Sequence, residues 1–271
     1  MTWHVIATPN GGEKISMIND LIRFCYEQGW SNKIYSSIVI IAFIAQMVFL
    51  IFYRKKYNIS LLKSIIVVLI VYPLAYFWML VLAWVENGFQ GWGSNNIVRV
   101  YVYAPLIGIL AAKVLKMPSG KIIDYVAPSM ALQQVIGHSV CPIAGCCQGY
   151  ACSWGIWNPI SNTRLFPIQW LECLVALAIV LYLLHLAKKE NYAGTGRVYA
   201  MFLITFGATR FFLEFLRDND KLFLGVSNLA FHALFMTLVG AIWMMALYER
   251  EQKQKFKQKH KKSHRPKREG V

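Results

Sequence analysis

Stretches such as IYSSIVIIAFIAQMVFLIFY, Ile34 to Tyr53, recur along this chain. Apolar runs of about twenty residues match the thickness of a bilayer's hydrocarbon core. No water is available there to satisfy backbone N–H and C=O groups, so a spanning chain must coil into helices or close into a barrel. A barrel needs short segments of alternating character, and these runs do not alternate. Composition agrees, with 57% of the 271 residues hydrophobic and 15% charged. The sequence therefore predicts an all-α, polytopic membrane protein with about seven transmembrane helices. The predicted spans are Ile34–Tyr53, Leu62–Val85, Ile97–Leu115, Ile122–Val140, Pro167–Leu186, Arg197–Leu216 and Leu222–Leu247.

The connecting segments set an orientation. YRKKYNISLLK, KMPSGK and KKENYAGTGR are basic, whereas ENGFQGWGSNN, the Cys141–Phe166 loop and RDNDK carry little excess positive charge. By the bias of Lys and Arg toward the cytoplasm, the N-terminus lies outside and the C-terminus inside. Residues 1–33 then form an extracytoplasmic arm, with Ile15–Trp30 as an interfacial helix anchored by Trp30. Residues 34–248 form the membrane domain and 249–271 a basic cytoplasmic tail. The formal charge of +15 draws on that tail. Basic residues after a span point to anionic lipid rather than nucleic acid.

One span does not fit a purely structural role. FGATRFFLEFLRDND, Phe206 to Asp220, puts Arg210, Glu214 and Arg217 on one helical face. Charge in a membrane is costly unless it is paired or faces a cavity, so it marks a candidate site with a partner. Glu172, five residues past Pro167, lies about 7 Å into the fifth span at a rise of ~1.5 Å per residue. Arg99 opens the third span and His138 closes the fourth at the same predicted level. Glu172 and Glu214 are the available counter-charges for Arg99, Arg210 and Arg217. For Arg99 and Arg217, near the predicted surface, bundle salt bridges and snorkelling are the leading reading. For Arg210 and Glu172 it is function. A cationic cluster at headgroup depth suits a phospholipid phosphate held by guanidinium forks.

At these residues the chain resembles the prolipoprotein diacylglyceryl transferases. FGATRFFLEFLRDND is similar to the family pattern YG-x-x-R-F-x-x-E-F-x-R-x-x-D, and RLFPIQWLE, Arg164 to Glu172, to R-x-P-x-Q-L-Y-E. IIDYVAPSMALQQVIGHSVCPIAGCCQG, Ile122 to Gly149, follows D-x-x-A-P and then G-R-x-G-N-F-x-N-G-E-x-x-G. The resemblance implies a bacterial plasma-membrane enzyme of lipoprotein biosynthesis. It would move the diacylglyceryl group of phosphatidylglycerol onto the lipobox cysteine thiol of a secreted lipoprotein precursor. It implies catalytic roles for Arg210, Glu214 and Glu172, with Arg210 at the phosphate; His138, where the pattern has arginine, reads either as a catalytic base or as a cap at a helix end. It further implies substrate contacts at Arg99, Tyr103, Gly137, Gly145, Phe206 and Arg217. No cofactor or metal is expected. The chain departs from the pattern at His138 (arginine), Cys141 (asparagine), Cys146 (glutamate) and Phe206 (tyrosine), and Tyr103-Ala104-Pro105 replaces H-G-G.

CPIAGCCQGYAC collects Cys141, Cys146, Cys147 and Cys152 on the predicted outer side. In an oxidising compartment these read first as two cross-loop disulfides, second as reactive thiols, and third as a zinc site helped by His138. No C-x-x-C spacing supports a metal. Cys25 and Cys173 read as apolar fillers. Two further functional readings stay open: another lipid- or thiol-modifying reaction using the Cys141–Cys152 loop, or lipid binding without chemistry. The sequence holds no Gly-rich nucleotide loop, H-E-x-x-H or G-x-S-x-G.

Overall fold

The computed structural model describes residues 17–90, 97–218, 221–223 and 226–263. The chain runs through α1 (Met17–Glu27), α2 (Ser31–Tyr53), α3 (Leu61–Glu86), α4 (Ile97–Val114), α5 (Ser119–Ser139) and the one-turn α6 (Cys141–Ala144). Strands β1 (Ala151–Asn158) and β2 (Thr163–Leu165) follow, then α7 (Ile168–Leu186) and α8 (Arg197–Glu214). Strands β3 (Lys221–Phe223) and β4 (Val226–Ser227) lead into α9 (Asn228–Ser263).

The burial pattern of α2 is the inverse of a water-soluble helix. Ala42, Gln46 and Leu50 are buried at four-residue spacing, while Ile40, Ile44 and Phe52 are exposed. A helix that hides a glutamine and presents isoleucines is solvated by hydrocarbon. Among the described residues, four helical segments are long and apolar enough to cross a membrane: Ser31–Tyr57, Leu61–Val85, Ile168–Leu186 and Asn228–Gln258. Val100–Val114 is a shorter apolar helix. The protein is a polytopic membrane protein.

Helices α5 and α8 cover predicted spans but fall outside that set, for a structural reason. Every residue of α5 from Ile122 to Ala131 is buried, so protein surrounds it and it needs no lipid-facing apolar surface. Its polar atoms are spent on neighbours. Gln46 Nε2 of α2 donates to the Ser129 carbonyl at 2.9 Å, Tyr72 of α3 meets Ser129 Oγ at 2.9 Å, and Tyr101 of α4 donates to the Met130 carbonyl at 3.0 Å. Asp124, an unexplained acid in an apolar segment, receives the Gly196 N–H at 2.8 Å and the Tyr199 N–H at 2.9 Å. Its carboxylate therefore satisfies the free amides at the start of α8 and favours that end of the helix dipole.

Helix α8 packs on α9 through two glycines. A β-carbon at Gly207 would lie 2.6 Å from Thr237 Oγ1 and 2.7 Å from the Ala233 carbonyl oxygen; one at Gly240 would lie 2.8 Å from Leu203 Cβ. The backbones approach closely because neither position carries a side chain.

Two expectations are corrected. The fold is not purely helical: Ala151–Asn158 pairs antiparallel with Thr163–Leu165, and Lys221–Phe223 with Val226–Ser227. Loop backbone away from the helices finds its partners in these short ladders. The last apolar helix starts at Asn228 rather than Leu222, since Ser227 Oγ accepts the Ala230 N–H at 3.2 Å as an N-cap, and it continues past Leu247 to Ser263. The predicted interfacial helix is present as α1, and Cys25 on it is buried.

Candidate active site

Five charged or titratable side chains converge where α5, α7 and α8 meet. Glu172 lies one turn into α7 and is 4% exposed. Arg210 and Glu214 share a face of α8, and Arg217 follows just beyond its end. Glu172 is the hub. Arg210 Nη1 donates to its Oε1, and Arg217 forks onto both oxygens, Nε to Oε1 at 3.0 Å and Nη2 to Oε2 at 2.6 Å. His138, near the end of α5, brings Nδ1 to 2.6 Å from Oε2. Glu214 balances the other side, with Oε2 3.1 Å from Arg210 Nη2 and 3.9 Å from Arg217 Nε. Ser227 Oγ donates to Glu214 Oε1 at 2.9 Å. Two buried guanidiniums are thus matched by two buried carboxylates, the condition under which such charges persist away from water. Arg210 Nε is buried and has no hydrogen-bond partner among the described residues.

Beside this cluster lies a narrow, open crevice. Glu172, Arg210, Gln134 and Thr209 supply its polar lining, and Phe206, Val175, Ala176, Ile179 and Leu213 its apolar lining. One end offers charge and the rest offers hydrocarbon-like walls.

The cysteine-bearing loop is stitched onto the cluster by hydrogen bonds. Gly149 bridges Arg217 antiparallel, Tyr150 N–H donates to the Leu216 carbonyl at 3.3 Å, and Asp218 N–H to the Gln148 carbonyl at 3.2 Å. Gln169 Nε2 of α7 donates to the Cys146 carbonyl at 2.9 Å. Gly145 turns the chain in the left-handed region at φ 70°, and its carbonyl accepts from Gln148 and Asn158.

All six cysteines are free thiols, which corrects the expectation of two cross-loop disulfides. Backbone bonds brace the loop instead. The Cys141 and Cys147 sulfurs and a ring nitrogen of His138 lie within 4.8 Å of one another. Cys147 is held well below the ordinary cysteine pKa, first by hydrogen bonds from Cys141 and Cys146 and then by the charges of Arg217 and His138. Cys141 is correspondingly raised, by its bonds to Cys146 and Cys147 and by burial. Among the three sulfurs the thiolate is favoured at Cys147.

The remaining predicted residues divide. Phe206 is buried and lines the crevice next to Arg210. Arg217, assigned from sequence to the surface, is buried in the cluster. Gly137 is on α5 one residue before His138, with open space where a β-carbon would stand. Tyr103 is on α4, and its ring packs edge-on against Trp78 of α3 at 6.1 Å rather than joining the cluster. Cys152 is on β1 and outside the thiol group. Arg99 is in the first turn of α4; its side chain lies outside the described residues.

The profile described as prolipoprotein diacylglyceryl transferase matches residues 28–247. The chain belongs to the prolipoprotein diacylglyceryl transferase family. Its relatives include two clostridial proteins, each named phosphatidylglycerol–prolipoprotein diacylglyceryl transferase. One, from Clostridium tetani, is 29% identical over 164 residues, covering 57% of this chain and 62% of the relative. The second, from Clostridium perfringens, is 28% identical over 162 residues with the same coverages. A Dehalococcoides mccartyi protein of that name is 28% identical over 143 residues, covering 50% and 54%. The chain spans about three fifths of the length of the clostridial relatives it matches. Within the family frame, Ser227, Gln134, Thr209 and Gln169 are additions to the predicted set. Gln169 lies inside the quoted RLFPIQWLE motif, Thr209 inside FGATRFFLEFLRDND and Gln134 in a largely apolar span, so all three left a signal; Ser227 left none.

Proposed function

We propose that this protein is a diacylglyceryl transferase of the bacterial plasma membrane, acting on phosphatidylglycerol and on the lipobox cysteine of a secreted lipoprotein precursor. In this reading the chain crosses the membrane seven times, with residues 1–33 outside and 249–271 in the cytoplasm, so that the Glu172 cluster faces the exterior, where such precursors emerge. Arg210 carries the reading: a buried guanidinium, oriented by Glu172 and Glu214, borders an apolar crevice with one N–H still unpartnered. A phosphodiester accepts that donor, while the diacylglycerol chains lie along Phe206, Val175 and Leu213.

The reaction needs a thiolate, a base and a stabilised leaving group. The acceptor thiol gives its proton to His138, beside which the Glu172 carboxylate stands at 2.6 Å. The sulfur attacks the glyceryl carbon bonded to the phosphate oxygen, forming the C–S bond as that C–O bond breaks. The electron pair leaves on glycerol phosphate, whose negative charge Arg210 stabilises and Arg217 reinforces from behind Glu172. Purified protein supplied with phosphatidylglycerol and a lipobox peptide is expected to yield S-diacylglyceryl peptide and glycerol phosphate in equal amounts by mass spectrometry. Folded protein giving neither product overturns the assignment, and stoichiometric lipid retained without turnover points to the lipid-binding reading.

A further inference from the structure

The three-sulfur group has a feature that thiol packing does not require. Cys147 sits in the left-handed backbone region at φ 59°, a conformation costly for a residue with a β-carbon. The turn that begins at Gly145 keeps it there, and the Gln169 bond to the Cys146 carbonyl holds that turn against α7. The outcome is convergence: Cys141 Sγ, Cys147 Sγ and a His138 ring nitrogen within 4.8 Å of one another. The Glu172 carboxylate stands beside the imidazole, with Oε2 2.6 Å from His138 Nδ1.

We propose that Cys141, Cys147 and His138 bind a zinc-class ion, with the fourth position left to an exchangeable ligand. Two thiolates and an imidazole are soft and borderline donors that favour zinc among abundant divalent ions. Their charge neutralises the ion, so the two arginine–glutamate pairs beside it stay balanced. A carboxylate beside a ligating histidine, as Glu172 is beside His138, is a common outer-shell support of such sites. His138 and Cys141 stand where the family pattern has arginine and asparagine, so the site is a property of this chain. Cys146 lies outside the converging donors and is not a ligand. Three protein ligands with one position open are the arrangement of reactive rather than purely structural zinc. Resting on the transferase reading, the open position of a bound ion would lie beside the path of the acceptor thiol and would favour its thiolate.

The test measures metal directly, on full-length protein purified in detergent with reductant. Wild type loaded with Zn²⁺ and desalted is expected to retain one zinc per chain, and Co²⁺ in its place to show a thiolate-to-cobalt charge-transfer band. Cys141→Ser and Cys147→Ser are expected to weaken binding at least tenfold, while Cys146→Ser and Cys152→Ser keep it. Reduced, folded wild type that retains no zinc, or binds cobalt without the charge-transfer band, overturns the site. Loss of zinc in Cys146→Ser overturns the open fourth position. None of these readouts depends on lipid transfer, so failure of the metal site and failure of the transferase reading are told apart.

Discussion

Arg217 grips Glu172 by two parallel hydrogen bonds, Nε to Oε1 at 3.0 Å and Nη2 to Oε2 at 2.6 Å. The fork uses both carboxylate oxygens, to which Arg210 and His138 also hold. One carboxylate thus fixes three cationic or basic groups from two other segments of the chain.

Removing that carboxylate leaves two buried guanidiniums with Glu214 alone between them. Glu172→Ala is expected to destabilise the protein by about 3–5 kcal/mol, the usual cost of an uncompensated buried charge. Glu172→Gln keeps the shape and loses the charge, so it should melt higher than Glu172→Ala yet lose transfer activity. Thermal unfolding in detergent, followed by circular dichroism, checks the order. Equal stability of wild type and Glu172→Ala would show that the cluster is not held by this residue.

Helix α8 carries the arginines only if it keeps its close seat on α9. A side chain at Gly207 meets Thr237 Oγ1 and the Ala233 carbonyl, and the latter is backbone that cannot swing aside. Gly207→Leu is expected to cost roughly 1–3 kcal/mol through overpacking. An unchanged thermal midpoint for Gly207→Leu would mean that the two helices separate more readily than their contact implies.

Cys147 gives a pH-dependent signature in the reduced, metal-free protein. Its pKa is lowered by the Cys141 and Cys146 hydrogen bonds first, so it is a thiolate below the ordinary cysteine value of about 8.5. Cys152 is raised by burial and stays a thiol there. Between pH 6 and pH 8 alkylation of Cys147 by iodoacetamide should therefore be nearly flat, while that of Cys152 rises about tenfold per pH unit. Peptide mass spectrometry resolves the two sites. A Cys147 rate that climbs with pH as Cys152 does would remove the thiolate at Cys147.

The membrane character and the charges of α8 were legible because both are periodic and local: apolar length, and Arg210 and Glu214 on one face, with Arg217 beyond the helix end. Glu172 was legible as a counter-charge and His138 as a polar group at the same level, from the polarity of their segments. The centrality of α5 was not, because hydropathy scores lipid-facing surface and α5 has protein on all sides. Asp124 looked like a defect in a span until its long-range bonds to Gly196 and Tyr199 gave it a purpose. The cysteines were misread because spacing in the sequence says nothing of a left-handed turn at Cys147, which brings that residue to Cys141 and His138. Strand pairing around Arg217 was invisible for the same reason: its partner Gly149 is remote in the chain.

The central claim is that Arg210, a planar guanidinium preorganised by Glu172 and Glu214, turns its unpartnered Nε–H toward the phosphate of the departing group. The most direct measurement is the turnover of phosphatidylglycerol and lipobox peptide by Arg210→Lys beside wild type, both checked for equal folding. A lysine keeps the charge but cannot hold both carboxylates and the phosphate in one plane, so kcat/KM is expected to fall by about 10²–10³-fold. Full turnover by Arg210→Lys would contradict the account.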